Sequence, residues 1–218
     1  MKRGPALVVL AAGASSRLGA CKALVRLRER EPSTPLAHVF DAAVAFDAAP
    51  PLLVTGAHHD ALVRAVPSGV TTVRNERWSQ GRMGSVAAAV AVRAGFDLCL
   101  SPVDVPLVPR GVYDTLRAAW LAAGSPARGW LAPRVVVPRA RDAIEPTPRA
   151  GEIARHGHPV IVGRALLEEV ARFPPDTALR ELRARAEPLF DLVVEATEVL
   201  DDLDTPADLH ALRLRFSR

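Results

Sequence analysis

The densest chemical signal in this chain lies between residues 10 and 22: Leu10-Ala11-Ala12-Gly13-Ala14-Ser15-Ser16-Arg17-Leu18-Gly19-Ala20-Cys21-Lys22. Small side chains allow a ligand to approach the backbone closely. Successive amides in such a loop cradle phosphate oxygens, and Arg17 and Lys22 add positive charge beside them. The same residues would also serve as a plain connector with two surface cations. Two familiar phosphate sites are excluded by spacing. Gly13 and Gly19 are separated by five residues and Lys22 does not follow Gly19 directly, so the loop is neither a P-loop nor the dinucleotide fingerprint.

Carboxylates supply the second signal. Asp104 follows an apolar run and lies between Pro102 and Pro106. A carboxylate at the carboxyl end of a parallel strand faces the crevice where α/β proteins bind ligands. Beside a triphosphate, hard oxygen suits Mg²⁺; otherwise Asp104 caps a turn. In Asp201-Asp202-Leu203-Asp204-Thr205-Pro206, Asp202 and Asp204 are two apart and face the same way on an extended segment. One of them could share a metal with Asp104. Asp204 and Thr205 also read as a helix start, with Pro206 at the first position and Asp208 completing a capping box, and the two roles are compatible. Asn75, at a strand end, could bond a base or sugar, and Ser85 lies near a helix start, where an anion is welcome. His59, His156 and His158 make no zinc pattern with the cysteines. His158 leads into a strand and could line a site. No Gly-x-Ser-x-Gly elbow or nucleophile triad is present.

The elements that must position these groups alternate. Apolar runs at Ala6 to Leu10, Pro51 to Thr55, Val70 to Val73 and Phe96 to Leu100 predict strands. Helices are expected over Leu36 to Phe46, His59 to Ala65, Ser85 to Ala94 and Tyr113 to Ala122. This alternation predicts an α/β fold with a mostly parallel sheet. Beyond Gly124 the pattern loosens. Val135 to Val137, Pro159 to Val162 and Leu192 to Leu200 are expected strands. Arg164 to Ala171, Thr177 to Ala184 and a short last helix are expected helices. An irregular excursion occupies about 138–158.

The chain has 218 residues, 49% hydrophobic and 24% charged, which fits one globular domain spanning 1–218. Its formal net charge is +4, with a pI of about 9.8. The charge is mostly arginine scattered among acids, which excludes a dedicated nucleic-acid binder as the leading reading. Two cysteines, Cys21 and Cys99, make neither a disulfide framework nor a zinc site. No apolar run approaches the roughly 20 residues that span a membrane, and no leader is evident at the start. The expected location is the cytoplasm.

The opening resembles the signature of the MobA-like NTP transferases, and most closely the molybdenum cofactor cytidylyltransferase branch. Further blocks follow in that family's order: Asn75-Glu76-Arg77-Trp78-Ser79-Gln80-Gly81 with Ser85, Ser101-Pro102-Val103-Asp104-Val105-Pro106, Gly157-His158-Pro159, and Asp202-Leu203-Asp204-Thr205-Pro206-Ala207-Asp208-Leu209. The resemblance implies a Rossmann-like three-layer sandwich of the glycosyltransferase-A type. It implies transfer of a nucleoside monophosphate from an NTP to a phosphorylated acceptor such as molybdopterin, with pyrophosphate released. Leu10, Ala11, Ala12, Gly13 and Gly19 would wrap the nucleotide. Lys22 and Arg17 would act on its phosphates, and Asn75 and Ser85 would help to hold it. Asp104 would bind Mg²⁺, with Asp204 or Asp202 as the second ligand. A molybdoenzyme or its chaperone would receive a finished cofactor.

Ala12-Gly13 stands where the guanylyltransferases have Gly-Gly, which leans the base toward cytosine and the nucleotide toward CTP. Val105 replaces the common glutamine of the Asp-Gln-Pro block. The stretch before Gly157 is longer than the family pattern, so sugar or polyol phosphates stay open as acceptors. A nucleotide-binding regulator without turnover is the non-enzymatic alternative.

Overall fold

The computed structural model describes residues 4–138 and 152–216. In chain order its strands and helices are β1 (Ala6–Ala11), α1 (Pro35–Ala42), β2 (Leu52–Thr55), α2 (His59–Ala65), β3 (Thr71–Arg74), α3 (Arg82–Val92), β4 (Leu98–Pro102) and α4 (Arg110–Ala122). The second half contributes β5 (Trp130–Pro138), β6 (Glu152–His156), β7 (Val160–Val162), α5 (Arg164–Leu167), α6 (Leu179–Arg183), β8 (Leu189–Val193) and α7 (Pro206–Arg215). One eight-stranded sheet runs β3-β2-β1-β4-β7-β5-β6, with β8 also paired to β5.

The first four strands are parallel. β7 is antiparallel to β4 and to β5, β6 is antiparallel to β5, and β8 is parallel to β5. β6 and β7 alone therefore run against the other strands, and the sheet is mostly parallel as the alternation implies. Both faces are covered. Leu7, Val9 and Ala11 point to a core closed by Leu36 and Val39 of α1 and by Val112, Leu116 and Trp120 of α4. Ala6 and Val8 point to a second core closed by Met83, Val86 and Ala89 of α3 and by Leu166 and Leu167 of α5. This period-two division between two helical layers is why the central strands read as unbroken apolar runs. Among the described residues no helix is long and apolar enough to cross a membrane.

Four expectations need correction. α3 begins at Arg82, three residues before Ser85, because Gly81 (φ 136°) breaks the preceding turn and serves as its cap residue. β5 spans nine residues around Val135 to Val137. Pro133 and Arg134 hide its apolar pattern, yet the Pro133 carbonyl still accepts from Gly157 N at 2.9 Å. The expected strand Leu192 to Leu200 is two elements: β8 ends at Val193, and a 3-10 turn occupies Thr197–Leu200. Of the expected irregular excursion at 138–158, Glu152–His156 is a strand paired with β5, while 139–151 lie outside the described residues. α7 begins as expected, with Thr205 Oγ1 accepting from Asp208 N and the Asp208 carboxylate accepting from Thr205 N.

Candidate active site

β1 delivers the small-residue loop at its carboxyl end, and five hydrogen bonds fix the loop's course. Ala57 N donates to Ala12 O at 3.0 Å, and His58 Nε2 donates to Ala14 O at 3.0 Å. Ser15 holds the turn: its carbonyl accepts from Leu18 N and Gly19 N, and its Oγ accepts from Lys22 N at 3.1 Å. Gly19 closes the loop at φ 77°, a left-handed conformation that costs glycine nothing. Gly56 is needed for a different reason. A Cβ there would fall against Ala12 O and within 2.6 Å of the Trp78 Cβ, so only glycine lets α2's leading turn press against the loop.

β4 delivers Asp104. Its carbonyl accepts from Leu203 N at 2.7 Å, which splices the late acidic segment to the end of β4 through the main chain. The carboxylates then meet the loop cations. Lys22 Nζ lies 2.6 Å from Asp204 Oδ1 and 3.4 Å from Asp104 Oδ2. Arg17 Nη2 reaches Asp204 Oδ2 at 2.6 Å. Asp201 is taken by Arg215, leaving Asp202 and Asp204 for the cleft. The hydrogen bond from Lys22, with Arg17 beside it, holds the Asp204 carboxyl below its usual range. Asp202 shifts the other way: burial raises it, and repulsion from Asp104 and Asp204 adds to the effect.

Two cavities adjoin here. One, of about 230 Å³, is lined by Leu10 to Gly13, Cys21, Trp78, Ser79, Gly81 and Ser85. The other, of about 440 Å³, is lined by Ser16, Arg17, Arg155 to His158, Asp202 and Asp204. Gly13, Ser15, Lys22, Arg82 and Asp104 belong to both walls.

Of the residues singled out from sequence, Leu10, Ala11, Ala12, Gly13, Lys22, Ser85 and Asp104 line the smaller cavity, and Arg17, Asp202 and Asp204 the larger. Gly19 and Asn75 line neither. The Asn75 amide is buried and donates to Ser85 Oγ at 3.1 Å, while its Oδ1 accepts from Arg77 N. It therefore orients Ser85 from behind. Val105 is buried in the core, so its side chain offers the cavities nothing in place of a glutamine amide. Trp78, Ser79, Arg82 and Arg155 are lining residues that the sequence reading did not pick out. Arg82 occupies no motif position in the sequence, and it is the fold that brings it to the wall the two cavities share.

His158 is held by main-chain bonds on both sides of the cleft floor: Gly157 N to Pro133 O and His158 N to Val199 O. Its Nδ1 is buried without a partner among the described residues. Burial, reinforced by Arg82 and opposed by Asp104, pushes its pKa down to about 4. The folded state thus resists a proton that the unfolded chain accepts near pH 6.5. The associated stability is complete above pH 6.5 and is lost as the pH falls toward 4. Between pH 7 and 5 the unfolding free energy should drop by on the order of 1–2 kcal/mol on this account. Denaturant titrations at both pH values should show His158→Gln with a flatter dependence than the wild type. Equal slopes would mean that His158 ionises freely in the fold. Asp202, raised by burial and then by its acidic neighbours, biases both proteins the opposite way and cancels in the difference.

The family model of the MobA-like NTP transferase domain matches residues 7–189. Among solved structures, Rv0371c from Mycobacterium tuberculosis H37Rv aligns with a TM-score of 0.72 and 25% identity, covering 98% of this chain and all of the other. A structure of the same mycobacterial protein in complex with manganese aligns at 0.67 and 24% identity, covering 97% and 98%. Molybdopterin-guanine dinucleotide biosynthesis protein A from Archaeoglobus fulgidus aligns at 0.67 with 16% identity, covering 97% and 98%, a likeness of fold. No curated protein matches the chain in sequence.

Proposed function

Because the chain belongs to the MobA-like NTP transferase family, we propose that it transfers CMP from CTP to a phosphorylated acceptor, molybdopterin first among them, and releases pyrophosphate. The observation that carries this reading is the pair of adjoining cavities with Lys22, Arg82 and Asp104 on their shared wall. The smaller suits the nucleotide, with Ala12, Gly13 and Ser85 around the base and sugar. The larger suits the acceptor, and the α-phosphate then sits between them. Positioning and electrostatics do most of the work in such a transfer. The loop amides receive the phosphate oxygens, and Lys22 and Arg17 offset the growing negative charge.

Asp104, Asp202 and Asp204 fit a magnesium ion chemically. They are hard oxygen donors, and the repulsion from Asp104 and Asp204 that adds to burial in raising Asp202 is of the kind a divalent cation relieves. Among the described residues no group of three His, Cys, Asp or Glu side chains is placed to hold an ion, so water and substrate phosphates would have to supply the rest of its shell. Bound there, it would neutralise phosphate charge. Asp104 is the first ligand of the proposal and Asp202 or Asp204 the second, Asp204 at the cost of releasing Lys22. We place the reaction in the cytoplasm, where the free thiols of Cys21 and Cys99 stay reduced, and a molybdoenzyme or its chaperone as the receiver of the product.

The test is pyrophosphate release from purified protein with Mg²⁺. Each of CTP, GTP, ATP and UTP is paired with molybdopterin and with a panel of sugar and polyol phosphates. Release confined to CTP and molybdopterin is the expected result. Release with another pair would keep the reaction class and reassign the substrates. Tight NTP binding with silence across the panel would favour an acceptor outside the panel or a regulator without turnover.

A further inference from the structure

We infer that Arg82 is a catalytic residue of this site, whose guanidinium binds the phosphates exchanged between the two cavities. The inference rests on the nucleotidyltransferase reading above and adds a residue and a role to it. Three observations converge. Arg82 lines both cavities, at the wall they share. Its side chain is exposed there, and among the described residues it makes no hydrogen bond or ion pair, whereas Arg17 and Lys22 are already engaged by Asp204 and Asp104. Its backbone is fixed. It is the first residue of the eleven-residue helix α3 and follows Gly81, where a Cβ would meet Asp176 Cα at 2.6 Å and could not be accommodated. The charge is also felt across the cleft, since it acts on both His158 and Asp202.

An uncommitted guanidinium between two anion-bearing substrates has a specific use. In the transfer, an oxygen of the acceptor phosphate forms a bond to the α-phosphorus. The bond from that phosphorus to the α,β-bridging oxygen breaks, and pyrophosphate departs with the electron pair. A phosphate acceptor brings no proton that must be removed. Charge therefore accumulates on the bridging oxygen and the leaving group, and a planar fork of N–H donors meets phosphate oxygens in pairs. Arg17 and Lys22 must first leave carboxylates to do this. Among the described residues Arg82 has no hydrogen-bond or ion-pair partner to leave.

The experiment compares wild type, Arg82→Gln and Arg82→Lys in two assays. One is turnover with the best NTP and acceptor pair. The other is calorimetric titration with inorganic pyrophosphate, which needs no acceptor. Removing one preorganised donor costs about 10²–10³-fold in turnover, so Arg82→Gln should lose about 10²-fold in kcat with a much smaller change in the KM for NTP. Arg82→Lys should recover part of the loss. Pyrophosphate should bind Arg82→Gln about tenfold more weakly, the loss of one charge-assisted contact. A loss of turnover without a loss of pyrophosphate affinity would keep the assignment and place the guanidinium on the transferred phosphate alone. Arg82→Gln matching the wild type in both assays would overturn it. If the wild type turns over no pair, the nucleotidyltransferase reading fails; weaker pyrophosphate binding by Arg82→Gln would then still support a phosphate-binding Arg82, and equal binding would overturn it. Matching melting temperatures separate a local loss from misfolding.

Discussion

Asp104→Asn should lower pyrophosphate release by about 10²–10³-fold, the scale on which loss of one transition-state electrostatic contact is felt, while the protein melts within a few degrees of the wild type. The two halves of this expectation have different physical origins. The side chain is the part that acts: its carboxylate lies on the wall common to both cavities, 3.4 Å from Lys22 Nζ. The backbone is the part that holds the fold, because the Asp104 carbonyl, not its carboxylate, receives Leu203 N. An amide of the same shape leaves that splice intact. It also removes one of the two like charges that add to the raising of Asp202 by burial, which offsets the loss of a partly buried but long 3.4 Å contact with Lys22. Activity and stability should therefore separate cleanly. Turnover near that of the wild type would remove Asp104 from the chemistry, and a large drop in melting temperature would mean that the carboxylate is structural.

How far the sequence discloses this site follows from which interactions are local. The loop from Leu10 to Lys22 is legible because an apolar strand, glycines and cations stand together within one stretch, and the pinning bonds of Ser15 close within seven residues. Asp104 is legible for the same reason: strand, proline and carboxylate are neighbours. The helix start at Thr205 is legible down to its capping box, since both bonds span three residues. What stays hidden is set by distant partners. β5 looks broken at Pro133, and only pairing with β6, β7 and β8 makes it one strand. The stretch Leu192 to Leu200 looks continuous because Val194, Ala196 and Leu200 pack on the core, yet their backbone leaves the sheet after Val193. Asn75 carries the residue type expected of a nucleotide ligand, but Ser85, ten positions later, claims its amide. Arg82 lacks any motif that would mark it, and only the fold places it on the wall shared by the two cavities.

Placement also governs the second large effect. Gly157→Ala should cost about 2–4 kcal/mol of stability, an overpacked contact plus a weakened hydrogen bond, and should lower turnover by about 10–100-fold, as small displacements of reacting groups do. No unusual backbone angle is involved; the demand is for space. A Cβ on Gly157 would fall against the carbonyl of Val199 and within 2.6 Å of its Cγ2. That carbonyl is the acceptor for His158 N, while Gly157 N is itself bonded to Pro133 O on β5. The glycine is thus clamped between the sheet and the turn Thr197–Leu200, and neither neighbour can yield without breaking a main-chain bond. The turn is the softer of the two, because β5 is held by three partner strands. It should move outward and carry Asp202 and Asp204 with it, since only Asp201 separates Leu200 from that pair. Lys22 would then lose its 2.6 Å partner, and the cleft would lose the spacing between loop cations and late carboxylates on which the proposed transfer depends. Chemical denaturation together with the pyrophosphate assay would read both effects. A variant that loses stability but keeps full turnover would show that the acidic segment is located by its splice to Asp104 alone. A variant unchanged in both would show that the Val199 turn yields at no cost.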